Sequence, residues 1–192
     1  MSLSPIMRDY LVRFQQTAMR ETGRRPVTFL RAPMDESLLL PGCQRPGYAY
    51  WQPMPWNGEA PLGPKAEHYH ESIRQYVSLC QFLEIHFRLP VTRAGSPLSF
   101  LYGRVFESCK NTLTAPPDRA FEEALWLAQQ DASAPAAYCM AVTCDDGEPL
   151  MLMLRASDGQ AFIRHAAGEA RVLDLRLGLD RLLPRLQFVY DI

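Results

Sequence analysis

Apolar residues recur every three to four positions near the start of the chain. Four of them lie at four-residue spacing and a fifth stands beside them: Ile6, Tyr10, Phe14, Ala18 and Leu11. This period places them on one face of an amphipathic helix that packs on a core. Ser4 followed by Pro5 is a typical helix start, and Gly23 is a typical stop.

The pattern changes after Gly23. Residues 24–47 contain four prolines and two glycines, which predicts an extended, irregular connection. Residues 48–51, Tyr-Ala-Tyr-Trp, are typical of a strand. Because proline cannot donate to a strand ladder, this strand must end before Pro53 or lie at a sheet edge.

Later segments alternate between helical and strand-like periods. Helices are predicted over residues 65–79, from Pro116 onwards and over 178–186, and strands over 82–89, 98–106, 138–143, 150–154, 161–164 and 171–173. Asp145-Asp146-Gly147 marks a hairpin turn, and Ser157-Asp158-Gly159 marks a second turn. In the strand over 82–89, Ile85 and Phe87 form an apolar face opposite His86 and Arg88.

Strands and helices do not alternate in this order of elements, so we do not expect a doubly wound parallel sheet. We predict an α+β fold with a mostly antiparallel sheet flanked by helices. The length of 192 residues fits one domain, and we expect residues 1–192 to form a single unit.

Composition narrows the classes of function. The chain is 47% hydrophobic and 21% charged, with a formal net charge of −1, so nothing global draws it to nucleic acid. No run approaches the roughly 18–20 apolar residues that cross a bilayer, and no signal-peptide block opens the chain. The five cysteines are scattered without a CxxC pair, which predicts free thiols in a reducing cytosol.

Motifs of catalysis and ligand binding do not occur in the chain. GxGxxG, the phosphate-binding GxxxxGK[ST], HExxH and GxSxG are not present. His68 and His70 would point apart on a helix, and no ligand at metal spacing completes a set, so we expect no metal and no cofactor. Cys80 and His86 could form a thiol–imidazole pair in space, but Cys80 falls on an apolar stripe, which favours an inert thiol.

The most specific stretch is Tyr-Trp-Gln-Pro-Met-Pro-Trp-Asn-Gly-Glu at residues 50–59. It predicts a strand that enters a rigid, aromatic, proline-bracketed turn. Trp51 either fills the core or belongs to a binding surface, since Trp and Tyr bury large areas at a low entropic cost. If it belongs to a binding surface, Glu59 supplies a charge at the rim of that surface. Trp56 lies in the turn and is expected to be exposed, so its mutation tests binding with less effect on the fold than mutation of Trp51.

At this stretch the sequence resembles the Syd family of SecY-interacting proteins, within the SUKH superfamily. The resemblance is carried by the frame Tyr-Trp-Gln-Pro-x-Pro-x-x-Gly-Glu and spans most of residues 7–188. The positions that match in this frame, with Trp56 in the turn, are the expected partner-binding residues: Tyr50, Trp51, Gln52, Pro53, Pro55, Trp56, Gly58 and Glu59.

The resemblance implies a non-catalytic SUKH-type domain that docks on cytoplasmic loops of the SecY translocon and monitors its assembly. It implies a cytoplasmic location, with peripheral attachment to the inner membrane through the partner only. Because the SecY loops are basic, an acidic concave surface is expected, and it must be local since the net charge is near zero. The alternative partner is a bacterial toxin, as for SUKH immunity proteins. An enzyme would instead need a deep pocket with perturbed titratable groups.

Overall fold

The computed structural model of the protein describes residues 4–30, 36–54, 63–79, 85–91, 99–105, 137–145, 148–165 and 171–188. These residues form helices and two antiparallel sheets, so the predicted α+β class is confirmed. The helix predicted from Pro116 lies outside the described residues.

The bounds of the elements follow the chain. The helices are α1 Ser4–Thr22, α2 Glu71–Leu79 and α3 Leu179–Leu182, with 3-10 turns at Glu36–Leu38, Gly63–His68 and Leu183–Arg185. The strands are β1 Val27–Phe29, β2 Leu39–Leu40, β3 Tyr48–Trp51, β4 Ile85–Val91, β5 Ser99–Val105, β6 Ala137–Asp145, β7 Glu148–Arg155, β8 Ala161–His165, β9 Arg171–Leu177 and β10 Gln187–Phe188.

Helix α1 has the predicted ends, and most of its predicted face is buried. Tyr10, Phe14 and Ala18 are buried together with Met7, whereas Ile6 and Leu11 are half-buried. Gly23 closes the helix with φ +66°, and its N–H donates to the Met19 carbonyl at 2.9 Å. A left-handed glycine of this kind satisfies a carbonyl at the helix end, which explains the sharp stop.

The larger sheet has seven strands in the order β10-β4-β5-β6-β7-β8-β9. Strands β4 to β9 form an antiparallel meander, and β6 and β7 form the predicted hairpin. The alternation expected around β4 is confirmed, since Ile85 and Phe87 are buried whereas His86 and Arg88 are exposed. Strand β10 was not predicted because two residues are too short for any period to show.

Strand β9 is longer than predicted and irregular. Adjacent residues of β8 pair with residues of β9 that are not adjacent: Ala161 lies opposite Leu177, whereas Phe162 lies opposite Asp174. Arg176 takes the left-handed φ of 52°, and its N–H donates to Asp174 Oδ1 at 3.1 Å. Such bulges protect an outer strand from pairing with other chains.

The second predicted helix is divided in two. Residues Gly63–His68 form a 3-10 turn, and α2 begins only at Glu71. The reason is tertiary: the backbone N–H of His70 donates to the Ala156 carbonyl, at 2.6 Å, in the turn between β7 and β8. Apolar residues at helical spacing in this segment are buried: Tyr69, Ile73, Tyr76 and Val77. Cys80, which the sequence places on the same apolar stripe, lies outside the described residues.

The helix predicted over 178–186 is also divided. Helix α3 covers four residues, and a 3-10 turn with Pro184 follows it. Because Pro184 has no N–H, it cannot extend the α-helical ladder, and the chain leaves towards β10. No helix in the described part of the chain combines the length and the apolar character that crossing a bilayer requires.

One hydrophobic core joins both sheets and the helices. It includes Phe14 of α1, Trp51 of the smaller sheet and Phe188 of β10. A second, smaller cluster gathers residues of β6, β7 and β8 around Cys139. The position of the smaller sheet is therefore fixed through the same core as that of the larger sheet.

Candidate protein-interaction surface

The smaller sheet has β3 in the centre, between β1 and β2. Trp51 faces inward and is fully buried, with 0% of its surface exposed. Thr28 of β1 stands opposite Ala49 and is buried on the same inner side. Since side chains alternate along a strand, Tyr48 and Tyr50 face outward, and both are half-buried.

Trp51 anchors this sheet to the rest of the domain. Its ring centroid lies 5.2 Å from that of Phe14 on α1. Phe14 in turn contacts Phe188 edge-on, with ring centroids 5.5 Å apart. The inner side of β3 is thus held by a chain of aromatic contacts.

Backbone bonds fix the end of β3 from both sides. The N–H of Trp51 donates to the Pro26 carbonyl at 3.0 Å, and the N–H of Gln52 donates to the Leu38 carbonyl at 3.1 Å. Pro26 accepts this bond but has no N–H to return, which suits a position at the end of the ladder. The prediction that β3 ends before Pro53 is confirmed.

A tight turn precedes β3 and brings two side chains together. The N–H of Tyr48 donates to the Arg45 carbonyl at 3.2 Å across Pro46 and Gly47. Gly47 has φ +77°, and proline followed by such a glycine is the sequence of a type II turn. This turn places Arg45 beside Tyr48.

Arg45 stacks on the ring of Tyr48. Its Cζ atom lies 3.9 Å from the ring centroid, well inside the range of a cation–π contact. Within the described ranges the Arg45 guanidinium makes no ion pair and no hydrogen bond, and the residue is exposed. Its N–H donors therefore remain available at the surface.

The outer side of the smaller sheet carries a compact set of mixed side chains. Tyr50 stands opposite Val27 on one side and Leu40 on the other. We call this set the tyrosine patch, and its members are Val27, Leu40, Arg45, Tyr48 and Tyr50. Apart from exposed Arg45, all of them are half-buried, which means that each presents part of its side chain to solvent.

The residues expected to bind a partner fall in different places. Tyr50 belongs to the tyrosine patch, whereas Trp51 lies in the core, so the structural reading of Trp51 is the one observed. Gln52 and Pro53 are half-buried, and Gln52 Nε2 lies 3.6 Å from Met54 Sδ. The remaining four lie outside the described residues: Pro55, Trp56, Gly58 and Glu59.

Charge is unevenly divided along the chain. The described residues contain sixteen basic and ten acidic side chains, a net charge of +6, whereas the other segments contain four and eleven, a net charge of −7. Beside the tyrosine patch, Arg24 and Arg25 are exposed, and Glu36 is the acidic residue of the described part of residues 24–54. The described residues around the patch are therefore basic, and they form no acidic surface there.

A separate polar junction links α2 to the turn between β7 and β8. The N–H of Ser72 donates to His70 Nδ1 at 3.3 Å, and Ser72 Oγ lies 2.9 Å from the same nitrogen. The pKa of nearby Asp158 lies below its usual value. Desolvation by itself would raise this pKa, but the hydrogen bond from the Gln160 N–H and the contact with Arg155 have the larger, opposite effect. These contacts start the helix and fix the turn, which is a structural role.

The thiols and histidines give no reactive cluster in the described part of the chain. Cys43 and Cys139 are free, and burial raises the pKa of the Cys139 thiol. Across the described residues, no three His, Cys, Asp or Glu side chains come together in a group that could hold a metal ion. His68 lies 3.8 Å from Glu67 at the surface.

We expect Cys139 to resist alkylation in the folded protein. The thiolate is the reactive form, and burial opposes both its formation and the approach of a reagent. Treatment with iodoacetamide at about pH 8, followed by peptide mapping, should label Cys43, which is half-buried, well before Cys139. Both should react in denaturant. Equal labelling of the two in the folded protein would contradict the burial of Cys139.

Comparison with known proteins adds no relative. A scan against protein-family models finds no match, and neither does a search of the curated proteins.

Sequence reasoning missed Arg45 and Tyr48 as candidate binding residues. Taken as composition alone, Pro46 and Gly47 indicate only a break in regular structure. The order Arg-Pro-Gly-Tyr itself carries the signal, since Pro-Gly at the centre of a type II turn brings the two flanking side chains together.

Proposed function

We propose that the chain is a non-catalytic protein-binding domain of the Syd and SUKH type, and that it docks on cytoplasmic loops of the SecY translocon and monitors its assembly. One observation carries the proposal. The strand that bears the Syd-like Tyr-Trp-Gln-Pro sequence has its tryptophan in the core and its tyrosines at the surface, beside a stacked arginine. Tyrosine and arginine are among the residues that dominate binding energy at protein interfaces.

The tyrosine patch is suited to binding because it is already rigid. Trp51 anchors the inner side of β3 through its contact with Phe14, and the type II turn places Arg45 beside Tyr48. A surface that is ordered before association loses less entropy when a partner binds. The alternation of side chains along this strand thus serves the fold on one side and recognition on the other.

The proposal includes a location and a limit on partners. The domain works in the cytoplasm and meets the inner membrane only through its protein partner. The proposal includes no cofactor. It also includes no nucleic acid, because the charge is balanced over the whole chain, with a net charge of −1.

A SUKH-type immunity protein, which binds and neutralises a toxin, is the second candidate. The observation in its favour is the charge around the tyrosine patch, where Arg24, Arg25 and Arg45 are all exposed. The SecY loops are basic, so these arginines would oppose them, whereas an acidic toxin domain would be attracted. A toxin gene immediately upstream would support this candidate.

Mutation of Tyr50 tests the proposed surface. We expect Tyr50→Ala to weaken binding to SecY in lipid nanodiscs by about tenfold or more, the range of an interface hot spot. Binding of the purified chain can be measured by biolayer interferometry, with empty nanodiscs as the blank. Val12→Ala removes another partly exposed apolar side chain, on α1, and should leave the affinity unchanged.

The outcomes separate the two candidates. Binding to SecY that depends on Tyr50 supports the Syd-like role. Binding to the product of an adjacent toxin gene, without binding to SecY, would transfer the same surface to immunity. Binding to SecY that is insensitive to Tyr50→Ala would remove the tyrosine patch from the proposal.

A further inference from the structure

We propose that the tyrosine patch recognises a carboxylate, and that Arg45 is the residue that receives it. The partner segment is then an acidic stretch of protein that also carries an apolar side chain. This inference rests on one part of the proposed function, that the tyrosine patch is the binding surface, and it adds the chemistry of what binds there. An acidic segment fits the toxin-binding candidate, since the SecY loops are basic.

The turn and the stack prepare Arg45 for this role. Arg-Pro-Gly-Tyr closes through the Tyr48 N–H to the Arg45 carbonyl, and the guanidinium lies 3.9 Å above the Tyr48 ring. A stacked guanidinium keeps its N–H donors in the plane of the group, at the edge that the ring does not cover. That edge matches a carboxylate in a paired, two-bond geometry.

The energetics favour a fixed arginine over a mobile one. An exposed ion pair contributes little when two long side chains must be ordered to form it. Here the Tyr48 ring already restricts the Arg45 side chain, so less entropy is lost on binding. The half-buried rings and aliphatic side chains beside it would exclude water from the bond.

The surrounding charge has the sign that an acidic segment requires. Arg24 and Arg25 are exposed and form no ion pair within the described part of the chain. Residues 24–54 carry four arginines against two acidic residues, a net charge of +2. Local charge of this kind steers an acidic segment towards the surface and slows a basic one.

The rest of the patch selects a protein over other polyanions. Val27, Leu40 and Tyr50 offer apolar area on the same side of the smaller sheet as Tyr48, on which Arg45 stacks, and an apolar side chain of the partner can cover it. Nucleic acid would need many cations to neutralise its phosphates, but the whole chain has a net charge of −1. An acidic protein segment satisfies both the single prepared arginine and its apolar neighbours.

A peptide selection tests the inference without knowledge of the natural partner. The folded chain is immobilised, and random twelve-residue peptides displayed on phage are selected on it. We expect the selected peptides to be enriched in Asp or Glu next to an apolar residue. The best of them is then labelled with fluorescein, and its affinity is measured by fluorescence polarisation.

Four measurements decide the role of Arg45. Arg45→Gln should weaken the peptide by about tenfold or more, since it removes a charge-assisted pair. Arg45→Lys should recover only part of this loss, because an ammonium is a point charge without the planar fork. Arg74→Gln, at an exposed arginine on α2, is the matched control and should change nothing. Replacing the acidic residue in the peptide by its amide leaves the protein intact and should give the same loss, not additive with Arg45→Gln.

Each other outcome overturns a defined statement. Peptides that lose affinity with Tyr50→Ala but not with Arg45→Gln would overturn the carboxylate and keep the proposed surface. Acidic peptides that are insensitive to both substitutions would overturn the surface as well. Two further arms use phosphatidylglycerol vesicles and poly(U). If the chain binds either of these through Arg45, and the selection does not enrich acidic peptides, the ligand of the tyrosine patch is not a protein segment and the inference is wrong.

Discussion

Replacing Trp51 by alanine should lower the free energy of unfolding by about 3–5 kcal/mol, the usual cost of deleting a large aromatic side chain from a core. Trp51 is fully buried and packs on Phe14, which also contacts Phe188. The cavity would therefore open where the smaller sheet meets α1 and the larger sheet. Urea denaturation followed by circular dichroism measures the change.

Two control variants separate this effect from a general sensitivity of β3. Tyr50→Ala changes the next residue of the same strand but on the outer side, and its cost should stay near or below about 1 kcal/mol. Trp51→Phe should cost far less than Trp51→Ala. The Trp51 indole N–H has no hydrogen-bond partner among the described residues, so phenylalanine loses volume but no hydrogen bond. Equal costs for Trp51→Ala and Tyr50→Ala would contradict the anchoring role.

Gly159→Ala should destabilise the protein by about 2–4 kcal/mol, through backbone strain and a steric clash together. Gly159 has φ +69°, a conformation that costs other residues roughly 1–2 kcal/mol. A Cβ there would also overlap Ser72 Oγ and lie 2.9 Å from His70 Nδ1. The turn between β7 and β8 would be pushed away from the start of α2.

A second glycine makes the two causes separable. Gly23 has nearly the same φ, +66°, but nothing lies within 4 Å of its Cβ position. Gly23→Ala should therefore show the strain alone, and the difference between the two variants measures the clash. Adding Ser72→Ala to Gly159→Ala should recover part of that difference, as a double-mutant cycle in thermal unfolding would show. Identical costs for the two glycines would mean that the turn and α2 are not in close contact.

Periodic segments explain how much of the fold could be predicted. The stripe of Tyr10, Phe14 and Ala18 predicted α1, Ser4-Pro5 and Gly23 predicted its ends, and the turn residues around Gly147 predicted the β6–β7 hairpin. These signals are local, because one period or one turn decides them. Strand β10 and the bulges of β9 depend on which strand lies alongside, so no local pattern contains them.

The candidate surface divides in the same way. The alternation of side chains along residues 48–51 places Trp51 and Tyr50 on opposite faces of the strand. It does not determine which of the two faces the core. The packing of Trp51 on Phe14, thirty-seven positions earlier in the numbering, decides that question. The position of Arg45 beside Tyr48 was predictable in principle from Arg-Pro-Gly-Tyr. Whether its N–H donors are available to a partner depends on the residues that the fold places around it.

By itself the sequence determined the α+β class, the order of most elements and the strand that carries the candidate surface, because propensity, period and turn chemistry act over a few neighbouring residues. The tertiary structure decided the rest. It divided the second helix by drawing the His70 N–H to Ala156, and it placed Trp51 inside and Tyr50 outside. It also left Arg45 without an ion-pair partner among the described residues, since partners distant in sequence meet only when the core assembles.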